Sequence, residues 1–262
     1  MRKVAVIADV HGNAPAFQAV LDEIEREQVD LIVSCGDLTW GPLPEETYEL
    51  ARQLANPSAS HSDSHRDSHS DSHLDVAARA RFVRGNADRA VLERVSETDR
   101  ERWMQEHHTD QMRDFLASFE DTVVVEVDGL GAVRLCHGSP RSDEECVTPK
   151  TPEERVREFS AEIDERVVVT AHVHMQFDRD VAGIRSVNPG SVGLPYETAP
   201  GAYWALLGPD VEFRRTDYDV DATIERYWAS GQPNVEDIVE LMLNPPPQSE
   251  IIEYGEERVF AG

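Results

Sequence analysis

The sequence predicts a layered α/β protein, and three observations carry that expectation. The chain opens on a strand, a tight turn and a helix in that order. Short apolar, β-branched runs recur along it, each closed by a small or polar residue. Its 262 residues also suffice for one large core or two small ones.

Residues 3–8 form the first apolar run, ending at Asp9. Gly12, Asn13 and Pro15 supply a turn, and Phe17, Val20, Leu21 and Ile24 then recur at helical spacing. Residues 31–35 repeat the theme and end at Gly36 and Asp37. Residues 81–84 make a third short strand that ends at Gly85 and Asn86, with helical sequence continuing to Val95. Residues 122–127 and 132–136 flank Asp128, Gly129, Leu130 and Gly131, a hairpin signal, and the second of these strands ends at His137 and Gly138. Residues 167–170 are another β-branched run, followed by His172 and His174. Further strands are expected at 176–180, 184–187, 203–207 and 211–215, and a helical stretch near 222–243.

Residues 57–75 differ in character, being Ser, Asp and His almost without apolar residues. His61, His65, His69 and His73 fall four apart, which on a helix would align them as an accessory metal stripe. Ser and Asp are poor in helix interiors, so the expectation is a solvated, disordered loop. Residues 1–243 then read as a single domain carrying this insert. Pro245, Pro246 and Pro247 stop any helix, and 244–262 reads as a loosely packed acidic tail.

The formal net charge is -26, and lysine occurs only at Lys3 and Lys150. Self-repulsion of that size favours solubility and weakens the compact state unless salt screens it. The simplest reading is a protein of a high-salt cytoplasm, as in an extreme halophile; the alternative is an ordinary acidic protein. So negative a surface counts against duplex DNA and anionic lipid as partners, since both need clustered cations. No apolar run matches a signal peptide or a membrane span, which points to a cytoplasmic protein. Cys35, Cys136 and Cys146 form no Cys-x-x-Cys pair, so they are expected to stay reduced.

Collected in order, the strand ends present Asp9 and His11, Asp37, Asn86, His137, then His172 and His174. Taken singly, each has an ordinary explanation as a helix cap, a turn former or a hydrogen-bonded core residue. Together they offer carboxylate, imidazole and amide oxygen without thiolate, a donor set suited to manganese, iron, zinc, nickel or cobalt. Seven side chains exceed the needs of one ion, and a carboxylate can bridge two, so a binuclear site follows.

The blocks Asp9-Val10-His11-Gly12-Asn13, Cys35-Gly36-Asp37, Arg84-Gly85-Asn86-Ala87-Asp88, Cys136-His137-Gly138 and Ala171-His172-Val173-His174 resemble, in order, those of the calcineurin-like metallophosphoesterases. Asn188-Pro189-Gly190-Ser191-Val192-Gly193 resembles a turn of the small prokaryotic phosphodiesterase branch. The resemblance implies a four-layer α/β/β/α sandwich of two mixed sheets. It implies that Asp9, His11 and His174 hold one metal, that Asn86, His137 and His172 hold a second, and that Asp37 bridges them. Asp37, His137 and His174 are then the catalytic candidates, and Asn86 and Asn13 the substrate contacts, although Asn13 reads equally as a turn residue. The implied activity is hydrolysis of a small phosphate ester, a phosphodiester first, by a hydroxide bridging two divalent transition-metal ions, with manganese the leading metal. Alternatives are a phosphomonoesterase, a dinucleoside polyphosphate hydrolase and, from a different class, a non-catalytic scaffold such as the retromer subunit of this fold. Two positions depart from the pattern. Ala87 stands where many members have the His that assists the leaving group, which frees Asp88 to cap a helix or bind Arg84, and Ala171 replaces the usual Gly.

Overall fold

The computed structural model describes residues 1–55 and 80–258. The His-rich insert and its possible metal stripe lie outside the described residues.

Among the described residues, ten strands form two mixed five-stranded sheets. The first contains β1 (Val4–Ile7), β2 (Leu31–Cys35), β3 (Ala80–Val83), β9 (Ala202–Leu207) and β10 (Val211–Thr216), in the order β10-β9-β1-β2-β3. The second contains β4 (Val123–Val127), β5 (Gly131–Leu135), β6 (Val167–Val169), β7 (Gln176–Val181) and β8 (Ile184–Pro189), in the order β4-β5-β6-β8-β7. Each sheet has three adjacent parallel strands: β1-β2-β3 run to one edge of the first, with antiparallel β9 beside β1, and β5-β6-β8 form the middle of the second, between antiparallel β4 and β7. The strands expected from the sequence all form, with ends within about two residues of expectation.

Strand periodicity explains the layering. Side chains alternate between faces, so Val4, Val6 and Ala8 point one way and Ala5 and Ile7 the other. The first set meets Val33, Val83, Val125, Val133, Val169 and Val187 in the core between the sheets. The second set packs with Phe17, Val20 and Ile24 of α1 (Ala14–Glu27), Ala51 of α2 (Pro44–Ala55), Val91 of α3 (Asn86–Leu92) and Leu116 of α5 (Asp110–Ala117). β1 is therefore covered on both sides, which is why it reads as an unbroken apolar run. β4 alternates, with Val123, Val125 and Val127 buried and Val124 and Glu126 exposed. On the outer face of the second sheet, Val168, Phe177 and Ile184 pack against Val156 and Phe159 of α6 (Glu153–Phe159). Helices, sheet, sheet and helices make four layers.

Four helices escape a reading based on apolar runs: α2, α4 (Asp99–Glu106), α5 and α6. The signals for α4 and α5 lie at the caps. Thr98 accepts from the N–H of Glu101, whose carboxylate returns to the Thr98 N–H, and Thr109 caps α5 by accepting from Met112 N–H at 3.2 Å. The single helical stretch expected near 222–243 is two helices, α7 (Val220–Ala229) and α8 (Val235–Leu243). Gly231 and Asn234, both at positive φ, turn the chain between them.

The loosely packed tail is also corrected. The prolines do end α8, but residues beyond them form α9 (Gln248–Glu257), whose Ile251 and Ile252 join the third core. Its Glu256 accepts from Thr148 and Thr151 at 2.6 and 2.7 Å and from Arg155 at 3.1 Å. Among the described residues, no helix is long and apolar enough to cross a membrane.

Candidate metal centre

The parallel strands of both sheets deliver their carboxyl ends to one place, where an open α/β layer usually builds its site. Asp9 and His11 follow β1, Asp37 follows β2, Asn86 opens α3 after β3, His137 follows β5, and His172 and His174 follow β6. The first two loops hold each other, with His11 N–H donating to Asp37 C=O at 2.9 Å and Gly12 N–H to Leu38 C=O at 3.0 Å. Ser191 Oγ donates to Asp9 C=O at 2.7 Å, so the turn after β8 clamps the end of β1.

The backbone here is strained. Nine non-glycine residues have positive φ among the described residues, and five of them are Asp9, His11, Asp37, His172 and His174. Left-handed backbone costs such residues on the order of 1 kcal/mol each or more and persists only where the surroundings impose it. The neighbouring glycines are sterically required. A Cβ on Gly36 would lie 2.6 Å from His137 Nδ1, and one on Gly85 would lie 2.1 Å from Asp37 Oδ1.

Two clusters of ligand-type atoms result, Asp9 with His11 and His174, and Asp37 with His137 and His172. Three ring Nδ1 atoms face backbone carbonyls: His11 to Trp40 at 3.2 Å, His137 to Cys35 at 2.7 Å and His174 to Leu194 at 2.8 Å. With Nδ1–H donated outward, each Nε2 turns its lone pair inward. There His11 Nε2 meets His174 Nε2 at 3.1 Å, and His137 Nε2 meets Asn86 Oδ1 at 2.9 Å. Asp37 Oδ2 lies 3.7 Å from His11 Nε2 and 3.5 Å from His137 Nε2, between the clusters, while its Oδ1 accepts from Ala87 N–H at 2.8 Å. Asp9 Oδ2 accepts from His172 N–H at 3.1 Å, and Asp9 Oδ1 is buried without a hydrogen-bond partner, 3.4 Å from His174 Nε2.

Acceptors that face one another in a buried space need a cation between them. Without a metal, protons fill that role. Burial works against charging His137, but Asp37 and then Asp9 outweigh it and push its pKa up to about 10. His174 is raised in the same way, against burial, by Asp9. Burial, then the charge of His174, takes His11 down to about 4; burial, then His137, does the same to His172. Both carboxylates stay ionised, because the histidine charges overcome their burial. The orphaned oxygen, the inward lone pairs and the N/O donor set fit a pair of divalent cations.

A model of the calcineurin-like phosphoesterase superfamily domain matches residues 2–208. The chain belongs to that superfamily. A metallophosphoesterase from Sphaerobacter thermophilus has 24% identity and a TM-score of 0.67, and a hypothetical protein from Pyrococcus horikoshii OT3 has 20% identity and a TM-score of 0.72. In each case the match covers 92% of this chain and 98% of the other, a likeness of fold. No curated protein sequence matches the chain.

Two of the candidate residues have structural partners within this phosphoesterase fold. Asn13 is fully buried: its Oδ1 caps α1 by accepting from Ala16 N–H at 3.1 Å, and its Nδ2 donates to Gly193 C=O and Tyr218 Oη. Its amide is committed to the fold. Asp88 does more than cap α3 and does not bind Arg84, which pairs with Asp121 instead. Fully buried, it accepts from the N–H groups of Asp37 (2.9 Å), Leu38 (3.0 Å) and Gly85 (3.0 Å), tying the loop of Asp37 to the loop of Asn86. Burial, and then Asp37, raise its pKa to about 7 against the pull of these N–H groups. Its position three residues into a helix was the visible signal; the two contacts to the other loop have none in the sequence.

Proposed function

We propose that the protein is a two-metal phosphoesterase, with Asp9, His11 and His174 holding one ion, Asn86, His137 and His172 the other, and Asp37 shared. The observation that carries the proposal is the position of Asp37 Oδ2, within 3.7 Å of a histidine from each cluster. A pair of divalent ions bound there would acidify a water, neutralise phosphoryl charge and align the ester for in-line displacement. Manganese heads the candidates, ahead of iron, zinc, nickel and cobalt.

The chain's own residues set the rest. The three Nδ1–H contacts hold the imidazoles in one tautomer and one orientation. The Ala87 N–H keeps one Asp37 oxygen turned away, leaving the other for the centre. Ala87 offers no acid to the leaving group, and Asp88 is occupied by backbone, so substrates with easily departing groups are favoured. The reading is phosphodiester hydrolysis of a small substrate in a high-salt cytoplasm. A non-catalytic scaffold has no need of the strained, fully populated donor set described above.

The test compares an aryl phosphodiester with its monoester in manganese-containing, concentrated salt. The diester is expected to turn over faster, and Asp37→Ala to lose at least a hundredfold in kcat/KM. Faster monoester hydrolysis would reverse the substrate order, and full activity of Asp37→Ala would remove the two-metal reading.

A further inference from the structure

Beside His137 the surface opens into a cavity of about 430 Å³ whose wall includes Arg84, Arg89 and Arg141. Three guanidinium groups around one space run against the composition of a chain with 51 acidic residues and 25 basic ones. A second cavity, lined by Glu45, Glu46, Glu49 and a single Arg226, has the balance the composition leads one to expect.

The arginines differ in how they are held. Arg141 is bidentate to the fully buried Glu145, at 2.9 and 2.7 Å, and Arg89 reaches Asp143 at 2.7 Å as well as Glu144 and Glu93. These contacts fix the planes of two guanidinium groups. Arg84 pairs with Asp121, whose side chain is 82% exposed. An ion pair that open contributes little and is readily exchanged for a better-matched anion. Asp121 and Asp143 line the space too, with Ser139 and Thr122 beside them, and since Arg89 and Arg141 are also paired with Glu93, Glu144 and Glu145, Arg84 is the guanidinium least committed to buried partners.

Position connects the cavity to the chemistry. Arg84 immediately precedes Gly85 and Asn86, Arg89 follows in α3, and Arg141 lies four residues after His137, so the segments that supply Asn86 and His137 also supply the basic wall. His137 itself lines the cavity. A substrate whose reacting phosphate sits at the centre would extend one flank over these arginines.

We infer that this cavity is a subsite for a second, non-reacting phosphoryl group carried by the substrate. Guanidinium groups arriving from two segments, Arg84 and Arg89 from the end of β3 and from α3 and Arg141 from the loop after β5, suit the three oxygens of a phosphoryl group better than the two of a carboxylate. The inference rests on the phosphoesterase reading of the adjoining centre, and it narrows the substrate class to esters that bear a further phosphate.

The experiment has two arms. In the first, the manganese-loaded protein is given a dinucleotide with a 5′-phosphate and the same dinucleotide with a 5′-hydroxyl. The wild type is expected to favour the phosphorylated form by tenfold or more in kcat/KM, and Arg84→Ala and Arg89→Ala to bring the ratio toward one, mainly through KM. Arg141 is left intact because its loss would strand the buried Glu145. In the second arm, chelator-treated protein is titrated with inorganic phosphate against potassium chloride of equal ionic strength, and thermal unfolding is followed. Phosphate is expected to raise Tm in the wild type and to do so less in Arg84→Ala. A wild-type ratio near one, or a ratio unchanged in both variants, overturns the subsite. If neither dinucleotide is cleaved, the hydrolase reading fails and the phosphate arm alone decides the subsite, with equal shifts in wild type and Arg84→Ala rejecting it.

Discussion

Asp88 shows how a single side chain can hold a centre it does not enter. One buried carboxylate collects the N–H groups of Asp37, Leu38 and Gly85, joining the loops that follow β2 and β3. Asp88→Asn keeps the shape but surrenders one acceptor oxygen, leaving at least one buried N–H unpaired at a cost of about 1 to 3 kcal/mol. The expected result is a lower denaturation midpoint together with sub-stoichiometric manganese after dialysis, read by metal analysis. Full metal content in a folded Asp88→Asn protein would show that the tie does not position the centre. Asp9, His11, Asp37, Asn86, His137, His172 and His174 were all legible as candidates, because each follows an apolar run whose end is marked by composition. The burial of Asn13 was not legible: a residue after glycine in a turn looks the same whether it faces solvent or, as here, the Tyr218 hydroxyl.

At the level of elements, the join between α4 and α5 carries a buried histidine that braces the loop of Asp37. His108 Nδ1 donates to Met104 C=O at 2.6 Å, and Nε2 accepts from Thr39 Oγ1 at 2.9 Å, two residues beyond Asp37. Burial holds its pKa down at about 4; the Met104 carbonyl opposes this, and the nearby charges of Arg113 and His107 add to it. Unfolded, the ring titrates near 6.5. Above that pH both states are neutral and nothing is lost. As pH falls from 6.5 toward 4 the unfolded chain takes up a proton that the folded chain refuses, so stability drops by up to about 3 kcal/mol. Urea titrations over this window should show a shallower loss for His108→Gln than for the wild type, and parallel curves would contradict the assignment. Strands were easier to read than helices here because a strand buried on both faces is a plain apolar run. The helices around 99–117 are instead specified by the caps at Thr98 and Thr109, which carry little hydrophobic signal.

Across the whole molecule, charge is the dominant feature. A net charge of -26 on one chain opposes compaction in dilute buffer, where the Debye length is about 10 Å at 0.1 M, and far less when it contracts to about 3 Å at 1 M. Thermal unfolding in potassium chloride should therefore move upward by roughly 10 °C between 0.1 and 2 M. A flat or falling Tm would show that local pairing already neutralises the surface. The many arginine–carboxylate pairs on the exterior do not remove this expectation, since exposed pairs contribute little individually.

Local chemistry alone determined the strands, the order of metal-capable residues at their ends and the charge, because apolar period and turn residues act over a few neighbours. Tertiary structure decided what depends on contacts across long stretches of chain. It set β9 beside β1, brought the single oxygen of Asp37 between two histidines 26 residues before and 100 residues after it, spent Asn13 on the fold, and gathered Arg84, Arg89 and Arg141 around one cavity. Which groups meet is fixed only when two sheets close on a shared core, and no window of sequence contains that closure.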